Sequence, residues 1–322
     1  EFLRSESVLA EFSKKGARVV AITAKDKLRR QLGRNVDIAG GSINFSSEKA
    51  DRCTFEQNGI ENVLEFVELP LPDVYSAELS IFALEAAVRI LAHFRPDIIY
   101  VSTTDYIQHK YAPGTPESND LYVKLDTAFG RLVSSGAVVG ITADHGMNDK
   151  SNPDGTPNII FLQDELNRRF GERTTRVILP ISDPYVVHHG SLGGFARVYC
   201  YDGVTPDKVM RVAQGLPGIE SVYDRPSACD VFGLPPDREG DVVVISDTGT
   251  AIGASESDHD LSSLGGHRLR SHGGISEKWV PFIISEPLNR EYAARARSTT
   301  LRSYEIFDYV INGVTIEGEQ LL

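Results

Sequence analysis

Three short motifs hold the residues most suited to chemistry: Asp105-x-x-x-His109, the adjacent pair Asp144-His145, and His272. Together they supply two carboxylates and three imidazoles. These side chains bind zinc through oxygen and nitrogen. Five such ligands exceed what one closed tetrahedral ion accepts and suit two ions sharing a site. Paired metals serve phosphoryl transfer well, one holding the attacking oxygen and the other a substrate oxygen.

Each motif also has a plainer reading. Asp105 could cap a helix, with His109 a surface neighbour one turn on. Asp144 could be a buried acceptor of backbone N–H bonds with a neutral His145 beside it. His272, in Ser271-His272-Gly273-Gly274, could be a loop histidine. Three such motifs at the ends of successive strand-like runs favour a shared site over three coincidences. The other histidines (His93, His188, His189, His259, His267) lack that setting, and the His188-His189 pair reads as loop or cap structure. Lys25-x-Lys27 also follows a strand-like run and could hold an anionic substrate group as point charges, although a solvated turn explains it as well. The glycines between Gly33 and Gly41 do not form a GxxxxGK[ST] loop, which removes support for a P-loop nucleotide enzyme.

The elements that must position these residues alternate. Residues 17–23 (ARVVAIT), 97–102 and 137–142 read as buried strands, the last two running straight into Asp105 and Asp144. Ser5 or Ser7 caps a first helix that Gly16 ends, and amphipathic helices are expected over 76–94 and 121–133. Continuous apolar strands alternating with helices predict an α/β fold, a mostly parallel sheet flanked by helices, with ligands beyond the strands' carboxyl ends. From about 185 to 245 the pattern changes to strands at 195–201, 219–223 and 241–246 around a helix at 205–216, a small inserted α+β cap. The expected organisation is a metal-binding core over 1–184, the cap over 185–245 and the core continued over 246–322. A strand over 279–285 and a closing helix over 302–311 belong to that last part, and the Gly/Ser-rich stretch 249–266 reads as a surface loop or flap.

Composition narrows the function classes. The 33 Lys+Arg against 45 Asp+Glu give a net charge of −12, which disfavours a nucleic-acid surface. Cys53, Cys200 and Cys229 are scattered, without CxxC spacing, and argue against a disulfide framework or a thiolate zinc site. No apolar run approaches the ~20 residues that span a bilayer, so no membrane role is expected. The chain opens Glu1-Phe2-Leu3-Arg4 and enters a helical pattern at once, as a piece of a longer protein would.

The order Asp-x-x-x-His, Asp-His-Gly and a late His beside glycines resembles the alkaline phosphatase superfamily. Thr23-Ala24-Lys25-Asp26-Lys27-Leu28-Arg29, Ser102-Thr103-Thr104-Asp105-Tyr106-Ile107-Gln108-His109-Lys110, Thr142-Ala143-Asp144-His145-Gly146-Met147-Asn148 and Ser271-His272-Gly273-Gly274 together resemble the phosphonoacetate hydrolase family. That resemblance implies an alkaline phosphatase-like core and two Zn2+. Asp105, His109 and His272 would bind one ion, and Asp144 and His145 the second. It also implies an Asp ligand, a Thr nucleophile and a phosphonate-binding Asn, all upstream of Glu1, so that no catalytic nucleophile is expected in this chain. Lys25 and Lys27 match the lysines with which the family holds the substrate carboxylate.

The implied activity is hydrolysis of the carbon–phosphorus bond of phosphonoacetate to acetate and phosphate, with this chain inactive alone and binding about one zinc tightly. Two other readings stand beside it: a nucleotide pyrophosphatase/phosphodiesterase of the same superfamily, and a non-catalytic zinc-binding fragment. The partner expected is a small phosphonate. Cytoplasm is the expected compartment, and a homodimer is left open.

Overall fold

The computed structural model describes residues 4–180 and 191–315. Two units fold around separate cores. One takes in Glu1–Ile141 and Ile283–Leu322 where these are described, the other Thr142–Phe282.

In the first unit, helix α1 (Val8–Lys14) leads to strand β1 (Val19–Thr23), α2 (Asp26–Leu32) and β2 (Ile43–Ser46). The short helices α3 (Phe55–Asn58) and α4 (Val63–Val67) precede the long α5 (Glu78–Phe94). Strand β3 (Ile98–Ser102), α6 (Tyr106–Lys110), α7 (Pro116–Ser134) and β4 (Gly140–Thr142) follow. Ser7 caps α1 by accepting the Ala10 N–H at 3.1 Å, and Thr115 caps α7, which opens on Pro116. The three-stranded sheet runs β2-β1-β3, all parallel. Every residue of β1 is buried, because both of its faces are covered. Val20 and Ile22 pack with Phe82, Ala83, Ala86 and Ile90 of α5, while Val19 and Ala21 face Leu9 of α1 and Phe307. The small alanines let α5 lie close on the sheet. This is the parallel sheet with helices on both faces that the apolar runs predict.

In the second unit, β5 (Asn148–Asp149), β6 (Ile159–Phe161) and α8 (Leu162–Phe170) lead to β7 (Thr175–Ile178), β8 (Phe195–Cys200), α9 (Pro206–Gln214), β9 (Ile219–Asp224), α10 (Arg225–Phe232) and β10 (Val242–Ser246). Then come β11 (Ala251–Gly253) and β12 (Arg270–Ser271). A four-stranded antiparallel sheet has the order β7-β8-β10-β9. The expected boundary at 185 and the His188-His189 pair fall outside the described residues.

Three expectations change. The stretch 249–266 is not loop throughout: its start is β11, fully buried and paired parallel to β6. The closing segment is strand β13 only over Phe282–Ile284, followed by α11 (Arg290–Ser298). The final helix α12 covers Ile306–Asn312, entered through a 3-10 turn at Ser303–Glu305. β13 pairs with β4, and Val139 and Ser285 exchange two hydrogen bonds at 2.9 Å beside that pairing.

Candidate functional site

The carboxyl edge of the first unit's sheet collects charged groups. Thr23 stands level with Ser46 and with Ser102, so β1, β2 and β3 stop together. Just beyond them come Lys25, Glu48 and Asp105. Lys25 caps the start of α2 without a side-chain cap bond. Its ammonium instead donates to the Val74 carbonyl at 3.2 Å and lies 4.9 Å from the centre of the Tyr75 ring. Burial pushes its pKa below the usual lysine value, opposed by the charges of Glu48, Asp105 and Asp73. Lys27 is exposed on the first turn of α2. Asp26, between them, accepts from Arg29 at 2.6 Å and pairs with Arg30, a structural role.

Asp105 occupies the cap position of α6 yet makes no side-chain capping bond. That removes its plainer reading. One of its carboxylate oxygens lies 3.1 Å from His109 Nε2, both residues being half-buried. The loop leading to Asp105 is fixed from below. The buried Ser80 of α5 accepts the Thr104 N–H at 3.0 Å and donates to the Thr104 carbonyl at 3.4 Å.

The second unit brings together Asp144, His145 and His272. Strand β12 pairs antiparallel with β5, with Ser271 opposite Asn148, which sets the two histidine segments side by side. The His145 and His272 rings stack with centres 3.4 Å apart and planes 6° from parallel. His145 Nδ1 is 2.9 Å from the Gly146 carbonyl, so the hydrogen sits on Nδ1 and the lone pair on Nε2. That Nε2 lies 3.6 Å from an Asp144 carboxylate oxygen, on a side chain 90% exposed. Glycines permit the tight approach: a Cβ on Gly193 would meet the His272 carbonyl at 2.7 Å, and one on Gly194 would meet the Gly274 nitrogen at 2.4 Å.

The donor chemistry fits zinc. Two ligands at about 2.0–2.1 Å from a tetrahedral ion lie roughly 3.3 Å apart. The Asp105–His109 spacing of 3.1 Å and the Asp144–His145 spacing of 3.6 Å bracket that value. Each unit thus presents a carboxylate–imidazole pair spaced to share one ion.

Two residues escaped the sequence reading. Lys150 and Glu277 form a salt bridge of 3.0 Å, with side chains 0% and 1% exposed. Nothing in the sequence separates them from surface charges, since their burial comes from the pairing of distant strands.

The profile of the type I phosphodiesterase / nucleotide pyrophosphatase family matches residues 44–274. The crystal structure of phosphonoacetate hydrolase from Sinorhizobium meliloti 1021, in complex with phosphonoformate, is 44% identical, with a TM-score of 0.89 over 97% of this chain and 75% of that one. The chain belongs to the phosphonoacetate hydrolase family of type I phosphodiesterases. The same hydrolase in complex with phosphonoacetate is 43% identical, at a TM-score of 0.88 and the same coverages of 97% and 75%. A curated phosphonoacetate hydrolase from Penicillium oxalicum is 54% identical over 37 residues, 12% of this chain and 49% of that sequence, so the match spans about half of that relative's length. Family membership gives the fold a name, the alkaline phosphatase-like phosphodiesterase fold.

Proposed function

We propose that the protein is a zinc-dependent hydrolase that splits the carbon–phosphorus bond of phosphonoacetate, giving acetate and phosphate. The observation that carries this reading is Lys25, a half-buried cation at the same sheet edge as the Asp105–His109 pair. A simple phosphate diester has one anionic group, which the metal-binding side chains would take, whereas a phosphonocarboxylate brings a second, its carboxylate, for such a cation. The solved relative's complexes with phosphonoformate and phosphonoacetate support the same substrate class.

In this reading, which follows the family resemblance, Asp105, His109 and His272, one carboxylate and two imidazoles, would hold one zinc. Asp144 and His145 would contribute to a second. When bound, the ions supply charge to stabilise the phosphonyl oxygens and to activate an oxygen nucleophile. Breaking the P–C bond leaves its electron pair on the methylene carbon, which then takes a proton, while the incoming oxygen ends on phosphorus. That carbon is a poor leaving group unless its charge spreads into the adjoining carboxylate. Lys25 and Lys27 stabilise the charge there, more in the transition state than in the ground state. His145 keeps its hydrogen on Nδ1 through the Gly146 carbonyl and so presents Nε2.

A second reading is supported by the family profile, which includes nucleotide pyrophosphatases. Assay of the zinc-loaded full-length protein on phosphonoacetate and on nucleotide esters separates the two. Phosphate release from phosphonoacetate far above turnover of the esters is expected, and preference for the esters would overturn the first reading.

A further inference from the structure

We infer that Glu277 is a positioning residue that locks the His145 and His272 segments in register, acting through its buried carboxylate rather than on substrate. The inference rests on the reading of His145 and His272 as metal ligands. The carboxylate is 1% exposed and meets only donors. Oε1 accepts from Asn148 Nδ2 at 2.6 Å, Ser276 Oγ at 2.7 Å and Lys150 Nζ at 3.0 Å, and Oε2 accepts the Gly274 N–H at 2.7 Å. Asn148 and Lys150 belong to the stretch that leaves Asp144-His145, and Gly274 to the loop that leaves His272. The Glu277 main chain adds a tie, its carbonyl accepting the Gly146 N–H at 2.6 Å. A Cβ on Gly146 would press on that same carbonyl at 3.2 Å. On the far side the His272 carbonyl accepts the Gly194 N–H at 2.8 Å, so the loop is held at both flanks. With the rings stacked 3.4 Å apart, any slip between the two segments moves one imidazole directly against the other. Lys150 is fixed in turn by the Asp247 and Thr248 carbonyls at 3.3 and 2.9 Å.

Any buried carboxylate needs donors, but these come from both histidine-bearing segments, Asn148 and Lys150 after His145 and Gly274 after His272, so the carboxylate joins one to the other. Glutamine has the shape of Glu277, but its NH2 group would stand at one of the two carboxylate positions as a donor facing donors. Groups that orient metal ligands from behind typically change metal affinity about 10- to 100-fold when altered. The test measures zinc affinity by chelator competition, with thermal melting of the metal-free protein and the absorption spectrum of the cobalt-loaded protein as companions. Glu277→Gln and the double variant Lys150→Met/Glu277→Gln are compared with His145→Ala and His272→Ala. The double variant removes both buried charges together, so a melting temperature close to wild type is expected. Zinc affinity is expected to fall about 10- to 100-fold in both Glu277 variants, with an altered cobalt spectrum. Wild-type affinity and spectrum there, with loss in the histidine variants, would overturn the positioning role and leave the ligands in place. Wild-type affinity in the histidine variants would overturn the ligand reading beneath it. Should the double variant fail to melt cooperatively, Asn148→Ala keeps the charges and removes one donor. Weaker zinc binding is expected from it, and unchanged binding would count against the inference.

Discussion

In the proposed function, substrate choice rests on Lys25. Its ammonium is parked on the Val74 carbonyl and the Tyr75 ring, within the electrostatic influence of the Asp105 carboxylate. Replacing it by alanine should lower kcat/KM for phosphonoacetate roughly 10- to 100-fold, the ~1.5–3 kcal/mol of a hydrogen bond to a charged group. An aryl phosphonate ester without a carboxylate should be spared, and equal losses on both substrates would remove the role given to Lys25. Because burial lowers the Lys25 pKa below its ordinary 10.5, the alkaline fall of kcat/KM should begin below that value and be absent in Lys25→Ala. The stability effect has the opposite sense: the folded state disfavours the charged amine, so stability rises with pH between the folded value and 10.5. At this scale the contact between Asp105 and His109 was legible from their spacing, since they lie one helical turn apart and do meet. Glu277 and Lys150 were not, because what makes them notable is full burial.

The loops that carry the candidate ligands are held by residues outside the candidate site. Ser80→Ala removes from α5 the acceptor of the Thr104 N–H and leaves a partly buried donor unsatisfied. A loss of about 1–3 kcal/mol is expected, read by chemical denaturation, together with reduced turnover as Asp105 loosens. No change in either would show that this loop is fixed elsewhere. Gly194→Ala should be as costly, about 1–3 kcal/mol, since its Cβ would overlap the Gly274 backbone at 2.4 Å. Zinc affinity in that variant should fall with stability. The strands at 17–23 and 97–102 were legible because both faces of a parallel sheet are covered and their apolar residues run unbroken. The burial of β11 was not, for a Gly/Thr-rich stretch gives no sign that it will pair with Ile159–Phe161, far behind it in sequence.

For the whole molecule, the net charge of −12 fits a protein whose anionic ligand is drawn by a local cation rather than by the overall field. Among the described residues no helix is long and apolar enough to cross a membrane. The family was legible from four short motifs because their residue types and order are distinctive, while the division into two units was not, since the chain crosses between them in mid-strand at Gly140–Thr142 and Phe282–Ile284. The most direct test follows phosphonoacetate and phosphate by 31P NMR and acetate by 1H NMR with the full-length protein, zinc-loaded, then chelated, then reloaded. Inorganic phosphate and acetate in equal amounts are expected, production stopping with the chelator and resuming with zinc. Phosphonoacetate left intact by the zinc-loaded protein, or cleaved at the same rate after chelation, would contradict the proposed function.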